Sequence, residues 1–87
     1  MNRSIAVAAG AGGGVLRGAV ADVWVTGELS HHDTLAAVAA GTSVVLAGHA
    51  NTERGFLVPL RRRLASAFPG ELTVRVARTD RDPFVVV

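Results

Sequence analysis

No cysteine, lysine or tyrosine occurs in this 87-residue chain, and its aromatic side chains amount to one Trp and three Phe. Without Cys there is no disulfide and no thiolate metal site, which fits a reducing compartment. With so few rings there is no platform on which bases could stack. The nine basic residues, all Arg, are scattered along the sequence, so a net charge of +2 does not point to nucleic acid. The exclusive use of Arg reads as a bias of genome composition. Long apolar runs are missing too, so no segment is fit to span a membrane. Arg3, the apolar stretch from Ile5 to Leu16 and Ala19-Val20-Ala21 mimic a secretory signal, and the lack of acids before Asp22 mimics a transit peptide. Gly10, Gly12, Gly13 and Gly14 break that stretch. A strand followed by a glycine turn accounts for the same residues better.

What is present is an Ala-, Val- and Gly-rich globular composition, enough for one small domain near the lower size limit for an adequate core. Its pattern alternates strand and helix. Ser4–Ala9 reads as a strand, Gly10–Gly14 as a turn, and Val15–Ala21 as a short helix with Leu16, Ala19 and Val20 inward. Asp22–Thr26 is a strand by its branched and aromatic content. Gly27–Leu29 is a loop, Ser30–Ala40 a helix ended by Gly41, and Ser43–Ala47 a second buried strand. A long helix is expected over 51–68, with Phe56, Leu57, Leu60, Leu64 and Ala67 on one face and a kink near Val58 imposed by Pro59. Glu71–Ala77 and Phe84–Val87 complete the pattern as strands. Strands separated by helices of about ten residues imply βαβ crossovers and a mainly parallel sheet with flanking helices, an α/β fold. The loops Gly10–Gly14, Gly27–Asp33 and Gly48–Glu53 then open on one edge, where α/β sheets bind ligands.

That edge receives the residues able to do chemistry. Gly48-His49-Ala50-Asn51-Thr52-Glu53 follows an apolar strand and sets an imidazole and a carboxylate four residues apart. Such a pair suits a divalent ion. The plain alternative is that Glu53 offsets a helix dipole, His49 fills a loop and Asn51 or Thr52 is the N-cap. In Ser30-His31-His32-Asp33, the first and last residues form a capping box. Two imidazoles beside Glu28 are more than a cap requires, and whether one of them serves a site is left open. Gly10–Gly14 could cradle a phosphate ahead of a helix, with Glu28 placed like a ribose-binding acid. Yet it matches neither the GxGxxG nor the P-loop pattern, and a tight turn explains it as well. Arg61-Arg62-Arg63 falls opposite the apolar stripe and reads as a solvated face.

Three stretches, taken together and in order, carry a resemblance. They are Thr26-Gly27-Glu28-Leu29-Ser30-His31-His32-Asp33, then Gly48-His49-Ala50-Asn51-Thr52-Glu53-Arg54-Gly55-Phe56-Leu57, and finally Asp80-Arg81-Asp82-Pro83-Phe84. The sequence resembles the C-terminal half of the Nif-three-like dinuclear-metal family, often labelled GTP cyclohydrolase type 2 homologues, and its wording is closest to the eukaryotic branch. The resemblance covers essentially the whole chain. It implies a centre of two divalent ions (zinc, manganese or iron) within a two-lobed α/β subunit. His49 would then be a ligand of one ion, Glu53 a carboxylate bridging both, and His32 a cavity-lining residue with a tentative catalytic role. Ala50 stands where bacterial members commonly carry an aromatic.

On this reading residues 1–87 are a single α/β domain, a C-terminal lobe or fragment without the family's N-terminal metal-binding lobe. It would be a metal-binding half of a hydrolase-like protein, inactive alone. The resemblance also implies hexamer-forming homo-oligomers, possible protein partners, no membrane, and a cytoplasmic location with mitochondrial or nuclear alternatives. Two further readings stand beside it: a non-enzymatic assembly or regulatory module, and a nucleotide-binding domain built on Gly10–Gly14 and Glu28.

Overall fold

The computed structural model describes residues 3–85. Strand β1 (Ile5–Ala11) leads into a single helical turn, α1 (Gly13–Leu16), followed by β2 (Val23–Glu28), α2 (His31–Ala39) and β3 (Ser43–Leu46). Helix α3 (His49–Glu53), a 3-10 turn over Arg54–Phe56 and helix α4 (Leu57–Ala67) complete the regular elements. The strands form one parallel sheet in the order β1-β2-β3, so the expected α/β architecture holds.

Register explains where the core lies. Ala6, Trp24 and Val44 stand side by side across the strands, and alternation puts Ala8, Thr26 and Leu46 on the same face. That face receives α1 and α2, and Leu16, Trp24 and Ala37 meet there as the buried apolar cluster, with Leu29 packed beside it. Val20, expected inward, is fully exposed, because α1 ends at Leu16 and the chain leaves the sheet. Trp24 Nε1 is buried with no hydrogen-bond partner among the described residues, and nothing in the structure compensates that cost. The opposite face carries Ile5, Val7, Val25 and Val45 with no helix of the described residues laid over it. Val45 and Leu46 are half exposed, so β3 is not the buried strand its sequence suggests.

Several boundaries shift for local reasons. Strands β1 and β2 run on through Gly10-Ala11 and Gly27-Glu28, stretches expected as turn and loop. One extra residue enters β1 between Ala8 and Ala11 while β2 advances from Thr26 to Glu28, a bulge that re-aims the strand end. The long helix begins at His49, not near Asn51, and breaks at Arg54–Phe56, just before Pro59 in the first turn of α4. Its apolar stripe covers little: none of its residues is buried, and Phe56 lies beneath the Arg63 guanidinium, 5.5 Å from the ring centre.

The C-terminal stretch departs furthest from expectation. Glu71–Ala77 forms no strand, nor do Phe84 and Val85, while residues 86–87 lie outside the described range. A β-strand needs a neighbour for its ladder, and here 71–85 is tied to the helices by side chains instead. Arg61 Nε donates to the Val74 carbonyl at 2.9 Å, Arg54 Nη2 to the Ala77 carbonyl at 2.7 Å, and Arg54 Nη1 to Asp80 at 2.8 Å. Arg61 is therefore an anchor and not simply part of a solvated face.

Candidate functional site

The site is assembled where β1, β2 and β3 end. Gly48, at φ +96°, turns the chain out of β3 in a conformation that side chains resist, and places His49 as the first residue of α3. Helix α3 can then press against the strand ends because Gly27 lacks a side chain. A Cβ there would stand 2.6 Å from the Gly10 carbonyl oxygen and 2.8 Å from His49 Cα. The Thr52 hydroxyl locks the arrangement: it accepts from Gly10 N at 2.8 Å and donates to the His49 carbonyl at 2.8 Å. Asp82 holds the other side, its carboxylate accepting from Ala50 N at 2.9 Å and Asn51 N at 3.3 Å.

His49 stands between two carboxylates. Its Nδ1 lies 3.0 Å from Glu28 Oε1 and its Nε2 3.0 Å from Glu53 Oε1. The i,i+4 spacing on α3 sets Glu53 beside His49, and the end of β2 supplies Glu28. All three side chains are about half exposed. The hydrogen bond to Glu28 raises the imidazole above its ordinary pKa; partial desolvation opposes this, and the charges of Glu53, Glu28 and Asp82 add to it. Protonated, the ring donates to both carboxylates. Neutral with its proton on Nδ1, it keeps Glu28 and turns the Nε2 lone pair toward the Glu53 side.

Nitrogen and oxygen ligands lie roughly 2.0–2.2 Å from an ion such as zinc. Two neighbouring donors on one ion are therefore separated by about 3.0 Å in octahedral and about 3.4 Å in tetrahedral coordination, and His49 Nε2 and Glu53 Oε1 stand 3.0 Å apart. Room is left beside them at Gly10, where a Cβ would fall 2.6 Å from Glu53 Oε2 and 3.1 Å from His49 Nε2. The carboxylate behind Nδ1 is the partner that metal-bound imidazoles commonly have. His49 and Glu53 fit one edge of a coordination shell. No group of three or more His, Asp or Glu among the described residues is disposed to hold an ion.

The remaining candidates fall elsewhere. Ser30 caps α2, accepting from Asp33 N at 3.1 Å, which is the N-cap half of the expected capping box; no return bond from Ser30 N to the Asp33 carboxylate is found among the described residues. Asp33 also meets Arg17 at 3.3 Å. His32 and His31 are exposed in the first turn of α2, their rings edge-on at 5.9 Å, and no hydrogen bond links either to His49 or Glu53 among the described residues. Glu28, proposed for a ribose, is engaged with His49 instead. Asp82 and Thr52 were not read as part of the site from sequence. Nothing local to an Asp before Pro says that it caps a helix 31 residues earlier.

Comparison with known proteins decides the family. Residues 1–83 match the family model for Duf34/NIF3 (NGG1p interacting factor 3). The chain belongs to the DUF34/NIF3 family. Among its relatives in that family, human NIF3-like protein 1 is 49% identical over 83 residues, covering 95% of this chain and 22% of the human protein. Mouse NIF3-like protein 1 is 48% identical over the same share of each chain. Budding-yeast NGG1-interacting factor 3 is 38% identical over 86 residues, 97% of this chain and 29% of the yeast protein. The crystal structure of a Bacillus cereus protein related to NIF3 superposes with a TM-score of 0.75 at 26% identity, covering 95% of this chain and 24% of that one. The chain thus spans about a quarter of the NIF3 relatives it matches.

Proposed function

We propose that this chain is a metal-binding part, about a quarter by length, of a two-metal, hydrolase-like NIF3-family protein, with His49 and Glu53 as donors to a divalent ion: zinc, manganese or iron. The observation that carries the reading is the His49 imidazole held at Nδ1 by Glu28 while Nε2 faces Glu53 over the side-chain-free Gly10. A bound pair of divalent ions would supply the charge that activates water toward a phosphoryl or related centre. The chain's own part is to orient that edge. Glu28 fixes the tautomer and angle of the ring, Asp82 and Thr52 hold α3 against the strand ends, and Gly10 keeps the approach open. Two donors are too few for a closed site, so the chain alone is expected to bind weakly and to lack activity. His32 gains no support for a catalytic role from the contacts around it.

Calorimetric titration of the metal-stripped chain with zinc and with manganese tests this. Wild type should show weak saturable uptake, His49→Ala should abolish it, and His31→Ala should leave it unchanged. Equal loss from both substitutions would mean adventitious binding to surface histidines and would sink the assignment.

An assembly role has separate support. The yeast relative is named for an interaction with NGG1, and the bare face of the sheet in this chain offers an apolar surface for protein contact. We infer that homo-oligomerisation, or docking of a protein partner, accompanies the metal chemistry.

A further inference from the structure

Charge is unevenly shared along this chain. Residues 54–81 hold seven of the nine Arg and only two acids, Glu71 and Asp80, whereas residues 1–53 hold two Arg and four acids. The fold gathers part of this excess. Arg54, Arg61, Arg75 and Arg78 line one open cavity of about 660 Å³ between α4 and the 71–85 stretch, with Val58, Val76 and Ala77 as its apolar wall. No acidic residue lines it.

We propose that this cavity binds the phosphate of a small phosphorylated substrate, whose reacting end reaches the His49–Glu53 edge. Two of its guanidiniums are fixed in place. Arg54 is held by Asp80 and the Ala77 carbonyl, and Arg61 by the Val74 carbonyl through Nε, which leaves its two terminal nitrogens available. Arg75 and Arg78 make no hydrogen bond or ion pair among the described residues, and both are exposed. Only Arg54 has an acidic partner there, so about three positive charges remain uncompensated around one hollow. Like charges so placed repel, and a dianion relieves that repulsion where water and salt only screen it. Guanidinium forks match phosphate oxygens in pairs, and a lining of donors without acidic acceptors selects an acceptor-only ligand. A phosphate monoester carries between one and a half and two negative charges near neutrality, which suits this count.

Size and position narrow the ligand. The volume is that of an ordinary small-molecule site. No aromatic lines it, so recognition rests on the anion and not on a stacked base. Arg54 directly follows Glu53 and also lines the adjoining cavity formed by His49, Glu53, Asp80 and Asp82, which joins the two hollows. The phosphate site stands on its own residues; only the placement of the reacting end rests on the metal reading.

Calorimetric titration of the full chain, stripped of metal in EDTA, separates the two ideas. The probes are inorganic pyrophosphate and ribose 5-phosphate, which share the anion and differ in the organic part. Saturable one-to-one binding of either is expected, weakened about tenfold or more in Arg75→Ala/Arg78→Ala and unchanged in Arg62→Ala, whose side chain does not line the cavity. Tighter binding of the sugar phosphate would mean that the Val58–Val76 wall contacts the organic part; tighter pyrophosphate would favour an inorganic or diphosphate ligand. Arg75 and Arg78 support no described contact, so the double variant should keep the wild-type circular dichroism. Equal affinity in wild type and double variant would overturn the proposal. So would failure of both probes, or binding of a single-stranded oligonucleotide by a chain that ignores both. Metal uptake is read in His49→Ala and phosphate binding in Arg75→Ala/Arg78→Ala, so each proposal is judged by its own measurement.

Discussion

At the scale of single residues, the site turns on Glu28 and two glycines. Glu28 holds His49 through Nδ1 and leaves Nε2 on the Glu53 side. Partners of this kind typically change metal affinity by about 10–100-fold. Glu28→Ala should therefore weaken zinc binding by at least about tenfold without abolishing it, whereas His49→Ala should leave none; titration of both variants checks the ranking. The same pairing has a pH signature in the metal-free chain. The folded state raises the His49 pKa above the ordinary 6.5, so its contribution to stability is fully present below that value. It fades as pH rises through the folded pKa and the ring loses its charge. The melting temperature gap between wild type and His49→Gln should accordingly be larger at about pH 6 than at about pH 8.5. A gap that widens with pH would contradict the pairing. Gly27 acts through space alone: an Ala there meets the Gly10 carbonyl and the His49 backbone, neither of which can swing aside. Overpacking of this kind costs roughly 1–3 kcal/mol, and Gly27→Ala should lower the melting temperature and weaken metal binding together.

At the scale of elements, the start of α2 was readable, whereas the starts of α1 and α3 and the partners of the helices were not. The α2 N-terminus follows from Ser30 and Asp33 because a capping box is written in adjacent residues. Ser30→Ala should cost about 1 kcal/mol in thermal unfolding, and an unchanged melting curve would mean that the helix does not depend on that cap. The strands β1, β2 and β3 were legible for a similarly local reason, their branched and aromatic residues, and Gly41 marked the end of α2. His49 and Glu53 were legible as a pair, since i,i+4 spacing on any helix makes them neighbours. What escaped was long-range. Nothing near Glu28 says that the end of β2 will face His49, and nothing near Asp82 says that it will cap α3. The expected strand over 71–77 failed because alternation describes a willingness to pair, and pairing also needs an open sheet edge nearby. Here Arg54 and Arg61 occupy the Ala77 and Val74 carbonyls that a ladder would use. The one-turn α1 fell short of Ala21 because a tight turn over Arg17-Gly18 ends it: Arg17 is already extended at ψ 123°, Gly18 follows at φ +85°, and Ala19 N donates to the Leu16 carbonyl at 2.8 Å.

At the scale of the whole molecule, the chain is long and thinly packed. Its radius of gyration is 16.6 Å, with extents of 52 × 33 × 21 Å; a compact domain of this length would have about 12 Å. Among the described residues the buried apolar side chains are Leu16, Trp24 and Ala37. Much of the apolar surface therefore faces water. On the uncovered sheet face Ile5 is 65% exposed, Val7 71% and Val45 49%, and beyond it Phe84 is 80% exposed. Both β1 and β3 are edge strands, with a row of backbone groups available to another chain. A contiguous apolar face bordered by open edges favours association over a dispersed monomer. Sedimentation of the purified chain over a concentration series should show self-association. Val7→Glu, which sets a charge on that face at its β1 edge without disturbing the core, should shift the population toward monomer. Val20→Glu serves as the comparison, since Val20 is fully exposed but lies outside the face, and it should change nothing. A wild-type chain that stays monomeric at every concentration would show that the bare sheet face does not drive association.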